Sequence, residues 1–223
     1  MIKPDLIIRT NRRSLSISIS QNGELIVRAP KKLSLDYINS FIKEKEKWIL
    51  KKQKEIVESG EKNKNLINYK SFLVCGKSYK KIEQDGLKNI EFSKSSIVFP
   101  KCNCKNDLFK HAQKFYIKLI KDILSERVEY FSDLMQLNYN KIVIMDNKRR
   151  WGVCTNNATL KFNYRLAMLP HKVIDYIIIH ELSHIIEFNH SAKFYKIIES
   201  IMPDYKKQIK SLKTYDYLLN LLR

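Results

Sequence analysis

The segment His180-Glu181-Leu182-Ser183-His184 has the residue types and spacing of a catalytic metal site. Four residues make about one turn of an α-helix, so the two imidazoles project from the same face, one above the other. Two neutral imidazoles in this arrangement can bind one zinc ion, with Zn–N distances of about 2.0–2.1 Å. Glu181 points to the side of this pair, where its carboxylate can take a proton from water acidified by the metal. The segment therefore predicts a zinc-dependent hydrolase with Glu181 as general base.

His190 is the candidate for the third protein ligand. It lies six residues after His184, and a catalytic zinc usually has three protein ligands and one open position. Asn189 can adopt the left-handed conformation that ends a helix, which would turn His190 back towards the metal. Glu187 and Glu199 are weaker alternatives for the same role. We expect one zinc ion, although histidine ligands also suit manganese, cobalt and nickel.

The residues around the motif indicate that its helix is buried. Ile177, Ile178 and Ile179 precede the motif, and Ile185 and Ile186 follow it. A helix that is apolar almost all round belongs in the core. A single histidine in such a helix is usually a core residue with a hydrogen-bond partner. Two histidines and a glutamate together are costly to bury without partners, which favours a metal site.

The rest of the sequence predicts an α+β fold in two parts. Residues 1–105 are rich in strand signals, such as the alternation of polar and apolar residues over Ser14–Ile19, and contain one predicted helix, Ser34–Glu58. Residues 106–223 start with a long amphipathic helix from Asp107, followed by two strands, the helix of the motif and a last helical region. We expect the second part to be a compact domain that carries the chemistry.

Arg149, Arg150 and Asn163 are the candidates for substrate binding. The two arginines lie between predicted strands that would border the metal site. A guanidinium group there can bind an anionic group of a substrate or stabilise an oxyanion. The alternative is that both arginines are solvated or form ion pairs. For Asn163 the alternative is an ordinary polar position in a strand.

The chain is strongly basic. It has 42 lysines and arginines against 23 acidic residues, a formal net charge of +19. Such a charge attracts polyanions, so a nucleic acid or a nucleotide is a candidate partner. The lysines are scattered, however, and the chain is also rich in isoleucine and asparagine, so the base composition of the genome explains the charge equally well. No helix-turn-helix, RNP motif or zinc knuckle is recognisable.

The sequence predicts a cytoplasmic protein without a membrane span. The residues after Met1 do not have the shape of a secretory signal, and no window approaches about 18 apolar residues. The four cysteines are then expected to be reduced. Cys102 and Cys104 form a C-x-C pair without a second pair at zinc-finger spacing, which gives no support to a structural metal site. The sequence indicates no particular oligomeric state.

Several segments form a recognisable combination, which is strongest over residues 140–215. They are Arg150–Cys154, Leu160–Leu166, Val173–Tyr176, His180–His184 and Asn189–Tyr195. Together they resemble the YgjP-like metallopeptidase family, which is related to the SprT-like and WLM zincins. The resemblance implies a compact zincin domain in which a small antiparallel sheet packs on the helix of the motif. It also implies that His180, His184 and His190 are metal ligands and that Glu181 is the catalytic residue.

The departures from the family's pattern are mild. Val153 stands where a small residue such as serine is common, and Tyr164 and Tyr195 stand where tryptophan is common. None of them belongs to the predicted metal set. The metzincins share the spacing of the three histidines, but their usual glycine three residues after the second histidine is Glu187 here. We therefore do not assign the chain to the metzincins.

Three functions are compatible with the sequence. The leading prediction is a zinc-dependent metallopeptidase that acts on a peptide or protein in the cytoplasm. The second keeps the metal but takes a nucleotide or another phosphate ester, with Arg149 and Arg150 binding the phosphate groups. The third is a basic nucleic-acid-associated protein in which protease activity is secondary or absent.

Overall fold

The computed structural model describes residues 2–20, 23–62, 69–93 and 95–222. The chain forms two compact units, Met1–Lys64 and Asn65–Arg223. Both contain helices and strands, so the fold is α+β, with six α-helices and three small sheets among the described residues. None of the described helices has the length and apolar character needed to cross a membrane.

The first unit is a three-stranded sheet with two helices. Its strands lie in the order β1-β3-β2, with β2 antiparallel to β3 and β1 parallel to it. Leu25, Val27 and Ala29 alternate along the central strand and are fully buried with Ile38 and Ile42. The elements are β1 (Leu6–Thr10), β2 (Ser16–Ile19), β3 (Leu25–Pro30), α1 (Leu35–Glu44) and α2 (Glu46–Lys62).

The prediction of a single helix over Ser34–Glu58 is wrong in the number of helices, because two helices occupy this region. The predicted start is confirmed, since the Ser34 hydroxyl caps α1 by accepting a hydrogen bond from the N–H of Tyr37. The chain leaves helical geometry at Lys45, where φ is −94° and ψ is 7°. Ile49 of α2 joins the same core as the apolar residues of α1. Apolar periodicity continues through the break, which is why the sequence pattern does not reveal it.

The second unit contains two further sheets and four α-helices. A four-stranded sheet has the order β4-β5-β7-β6, and a three-stranded sheet has the order β8-β10-β9. Its elements are β4 (Ser71–Val74), β5 (Lys77–Gln84), β6 (Glu91–Phe92), β7 (Ser96–Pro100), α3 (Lys105–Leu134), β8 (Lys141–Met145), β9 (Gly152–Cys154), β10 (Thr159–Asn163), α4 (His171–Ile186), α5 (Ala192–Ile201), α6 (Tyr205–Lys213) and the 3₁₀ turns Tyr164–Met168 and Asp216–Asn220.

The two units divide near residue 64, earlier than the boundary between residues 105 and 106 that the sequence suggested. The four-stranded sheet belongs to the second unit because its apolar face shares one core with α3. Phe72 and Phe99 are buried in the same cluster as Ala112 and Tyr116. The hydroxyl of Tyr116 donates a 2.8 Å hydrogen bond to the carbonyl oxygen of Leu73.

The small sheet beside the motif's helix is mixed, so the predicted antiparallel sheet is wrong. β9 and β10 form an antiparallel hairpin in which Gly152 is paired with Phe162. β8 runs parallel to β10, with Lys141 paired with Thr159. The chain reverses its direction between β8 and β9 and again between β9 and β10, so β10 runs in the same direction as β8. β9 is therefore an edge strand of the sheet.

The helix α4 lies in the centre of this unit. Ile174, Ile178, Ile179 and Leu182 have no exposed surface. These apolar side chains fix the helix, because the burial of each one contributes about 1.5–3 kcal/mol of hydrophobic free energy. The polar residues of the motif are thus held on a rigid element.

Candidate metal centre

His180 and His184 project from the same face of α4. Their ring centroids are 4.9 Å apart, and both rings are half-buried. The separation follows from the helical repeat, since residues four apart stand one above the other. The last two turns of α4 therefore present two imidazoles to one point beside the helix.

The third imidazole comes from the segment that follows α4. The helix ends at Glu187, whose φ of −138° and ψ of 108° are extended. His190 then lies with its Nε2 3.1 Å from the Nε2 of His180. One nitrogen from each of the three histidines lies within 4.8 Å of the others.

The route by which His190 reaches the other two differs from the expected one. Asn189 is not among the described residues with a positive φ, so the left-handed turn predicted there is wrong. The extended Glu187 redirects the chain instead. Its carbonyl oxygen also lies 3.2 Å from the Nδ1 of His184.

The donor set fits a zinc ion. Two nitrogens that bind one tetrahedral zinc at about 2.0–2.1 Å stand about 3.3 Å apart, close to the separation of His180 and His190. A carbonyl oxygen only accepts hydrogen bonds, so the proton of His184 resides on Nδ1 and its Nε2 carries a free electron pair. In the same way, Nδ1 of His180 can donate to the hydroxyl oxygen of Tyr176, which is 3.4 Å away.

The environment keeps His180 and His184 neutral. Burial, reinforced by the neighbouring His184 and His190, lowers the pKa of His180 to about 3. Burial also lowers the pKa of His184. Only a neutral imidazole can bind a metal ion, so at neutral pH a metal has few protons to displace from this site.

Phe194 forms a floor beneath all three imidazoles. It belongs to α5, which begins after Ser191, and it has no exposed surface. Its ring centroid is 4.9 Å from that of His180, 4.6 Å from that of His184 and 4.8 Å from that of His190. The ring limits the rotamers that the imidazoles can adopt, which holds them together before any metal binds.

Glu181 lies on α4 next to the first histidine and is only 5% exposed. The backbone N–H of Cys154, on the edge strand β9, donates a hydrogen bond to its carboxylate. Burial raises the pKa of Glu181 to about 8, while the Cys154 N–H and the positive charge of Arg150 act in the opposite direction. A bound cation nearby would lower this pKa further, since it stabilises the carboxylate.

Gly152 of β9 also lies against this carboxylate. A Cβ atom at Gly152 would stand 2.5 Å from Oε1, 2.7 Å from Cγ and 2.8 Å from Cδ of Glu181. Contacts this short cannot form unless β9 or the side chain of Glu181 moves, so only glycine lets the strand approach the carboxylate this closely.

The three residues predicted to bind substrate lie in or under one loop. Arg149 and Arg150 are exposed, and their backbone N–H groups donate to the side-chain oxygen of Asn147 over 2.8 and 3.1 Å. Asn163 is fully buried and donates from Nδ2 to the carbonyl oxygens of Asn147 (2.7 Å) and Arg150 (3.1 Å). Asn163 thus supports the loop, and Arg150 brings a positive charge within electrostatic range of Glu181.

Sequence reasoning did not assign a role in the site to Gly152 or Phe194. The two arginines were placed between predicted strands, and Gly152, two residues after Arg150, starts the additional strand β9. Phe194 follows Ser191 at the start of an apolar helical pattern, which predicts a core residue. Its contact with three histidines depends on tertiary structure alone.

Comparisons with known proteins identify the family of the chain. None of the curated proteins matches the chain. Among solved structures, the metallopeptidase zymogen of Pyrococcus abyssi abylysin is 21% identical, with a TM-score of 0.39, and the match covers 41% of this chain and 92% of that one. The model of the YgjP-like metallopeptidase domain matches residues 13–215. The chain therefore belongs to the YgjP-like family of metallopeptidases and is a hydrolytic enzyme.

Proposed function

We propose that the protein is a zinc-dependent peptidase in which His180, His184 and His190 bind one zinc ion and Glu181 is the general base. The observation that carries the proposal is the convergence of three imidazole nitrogens within 4.8 Å, on and beside the helix that holds Glu181. The family supports a peptide or protein as the substrate. The four free cysteines agree with the cytoplasm as its compartment.

Each residue has a defined task in this proposal. When bound, zinc supplies a Lewis acid that polarises a carbonyl group and acidifies water. Glu181 accepts the proton of the water molecule that attacks the peptide carbonyl carbon. It then gives this proton to the amine nitrogen as the C–N bond breaks. Gly152 and the N–H of Cys154 hold the carboxylate in place for both transfers.

The experiment that tests this function separates the metal from the base. The wild-type chain is analysed for bound metal and incubated with a library of peptides, with and without a chelator. We expect Glu181→Gln to retain zinc and to lose at least about 100-fold in kcat/KM, because proton transfer contributes roughly 10²–10⁴-fold. His184→Ala should lose both zinc and activity. Full activity of Glu181→Gln would rule out the proposed role of the carboxylate.

A phosphate ester is the second candidate substrate, and one observation favours it. Arg150 is exposed and its positive charge acts on Glu181. A cation at this place suits a phosphate group, and the adjacent Arg149 adds to it. Nucleotides are therefore tested beside the peptides in the same assay. Chelator-sensitive release of phosphate or pyrophosphate without peptide cleavage would select this candidate over the peptidase.

A further inference from the structure

A second surface of the larger unit combines lysines with aromatic rings, and it contains no residue of the metal centre. It surrounds a pocket of about 440 Å³ between α3 and the segment before β6. We call this surface the lysine–aromatic patch and define it by Lys88, His111, Lys114, Phe115 and Lys118, which line the pocket, together with the neighbouring Phe92.

The lysines of the patch form a regular positive edge. Lys114 and Lys118 are four residues apart on α3, so their side chains follow one face of the helix about 6 Å apart. Lys88 stands on the other wall of the pocket. Lys88, Lys114 and Lys118 are exposed, and none of them forms an ion pair with another residue that the structure describes.

One carboxylate, that of Asp122, also lines the pocket. It faces three lysines and a histidine, so the lining remains positive. Negative charges of a ligand are therefore favoured here, and the open pocket leaves them within reach of the ammonium groups.

The aromatic side of the patch offers surfaces for planar groups. Phe92 is 50% exposed, although it belongs to a strand. Its ring centroid is 5.4 Å from that of Phe115 and 5.5 Å from that of Tyr79. This contact holds the exposed ring in a fixed orientation beside the pocket. A ring held in this way can stack on a nucleobase, because every base presents a π-face.

We propose that the lysine–aromatic patch binds single-stranded nucleic acid. The phosphates contact Lys88, Lys114 and Lys118, and a base stacks on Phe92 beside the pocket wall formed by Phe115. Positive groups that follow a backbone, interleaved with aromatic side chains, are the combination that sequence-tolerant single-strand binding requires. The pocket volume lies within the range of small-ligand sites, so a base can enter it. The inference does not depend on the metal or on peptidase activity.

The test measures binding of a fluorescein-labelled 12-nucleotide oligo(dT) to the full chain by anisotropy at several NaCl concentrations. Three lysine–phosphate contacts predict a slope of log K against log[NaCl] of about −2. The charge reversal K114E/K118E should weaken binding at least tenfold and reduce the slope to about −1. The matched control is K207E/K210E, which changes the net charge equally at two exposed lysines of α6. The control should stay within twofold of wild type.

A second pair of variants tests stacking. Phe92→Ala should weaken binding roughly fivefold or more, since a base–aromatic stack contributes about 1–3 kcal/mol. Phe92→Trp keeps a planar ring and should restore binding. Circular dichroism verifies that each variant is folded.

Three results would overturn the inference. The first is the absence of oligo(dT) binding at low salt. The second is an equal loss in K207E/K210E and K114E/K118E, which would mean that net charge alone attracts the strand. The third is wild-type affinity of Phe92→Ala for oligo(dT), which would mean that no base stacks on this ring.

Discussion

Replacing Gly152 by alanine perturbs the carboxylate of Glu181, the proposed general base, without touching the three histidines of the candidate metal centre. The new Cβ atom would stand 2.5 Å from Oε1 of Glu181, and relieving this contact to an ordinary 3.4 Å moves one group by about 0.9 Å. The carboxylate is only 5% exposed and cannot swing freely into solvent. The shift therefore also disturbs its hydrogen bond with the N–H of Cys154.

Two quantities should change in the Gly152→Ala variant. Overpacking of a buried site costs about 1–3 kcal/mol in the free energy of unfolding, so Tm should fall by several degrees. A displacement of about 1 Å in a catalytic group can cost about 100-fold in rate, so kcat/KM should fall by that order. Zinc content should be unchanged because the three histidines keep their positions. Thermal melting, metal analysis and cleavage of the best peptide measure the three quantities.

Val153→Ala is the matched control, because successive residues of a strand face opposite sides and Val153 points away from the Gly152 side. It should leave kcat/KM within about threefold of wild type. If Gly152→Ala has the Tm and the kcat/KM of wild type, then Glu181 does not depend on the close approach of β9, and the reasoning is refuted.

Further predictions concern the histidines and the buried cation. Phe194→Ala should cost about 3–5 kcal/mol in stability and weaken zinc binding roughly tenfold or more in a chelator competition, whereas Phe194→Leu should cost less. In the metal-free protein, the pKa of His180 is about 3, below its value in the unfolded chain, so the unfolded state binds the extra proton between these two values. The free energy of unfolding should therefore fall on the order of 1 kcal/mol per pH unit as the pH drops from about 6.5 towards 3. The slope should be smaller in His180→Gln. Arg165→Met should cost about 3 kcal/mol in urea unfolding, because the fully buried guanidinium donates both to Asp146 and to the carbonyl oxygen of Leu221, while Arg127→Met, where the guanidinium is 30% exposed, should cost less.

The cluster of three histidines was largely predictable from the sequence because its information is local. The positions of His180 and His184 on one face follow from the helical repeat, and His190 lies close enough in sequence to return to them. Gly152 and Phe194 were not assigned to the site for the opposite reason. Gly152 is 29 residues from Glu181 and Phe194 begins a separate helix, so only the packed structure brings them to the site.

The same distinction applies to the fold. The strand β2 was predicted because the alternation of polar and apolar residues over Ser14–Ile19 is a local signal. The strand β5 was missed, since Lys77–Gln84 is mostly exposed and has no apolar alternation. The parallel pairings of β1 with β3, β5 with β7 and β8 with β10 join strands that are not adjacent in sequence. Periodicity identifies single strands, but it contains no information about such pairings.

The last residues of the chain contribute to the support of the site. The indole N–H of Trp151, directly before β9, donates a 3.1 Å hydrogen bond to the carboxylate of Asp216. The carbonyl oxygen of Leu221 accepts from Nε and Nη2 of the buried Arg165 at 2.9 and 2.7 Å. The backbone N–H of Arg165 in turn donates to the side chain of Asn163, which holds the loop leading to Gly152. Because residues 216–221 and the loop that leads into β9 are joined by these bonds, loosening the one removes partners from the other, although residues 216–221 contain none of the three histidines.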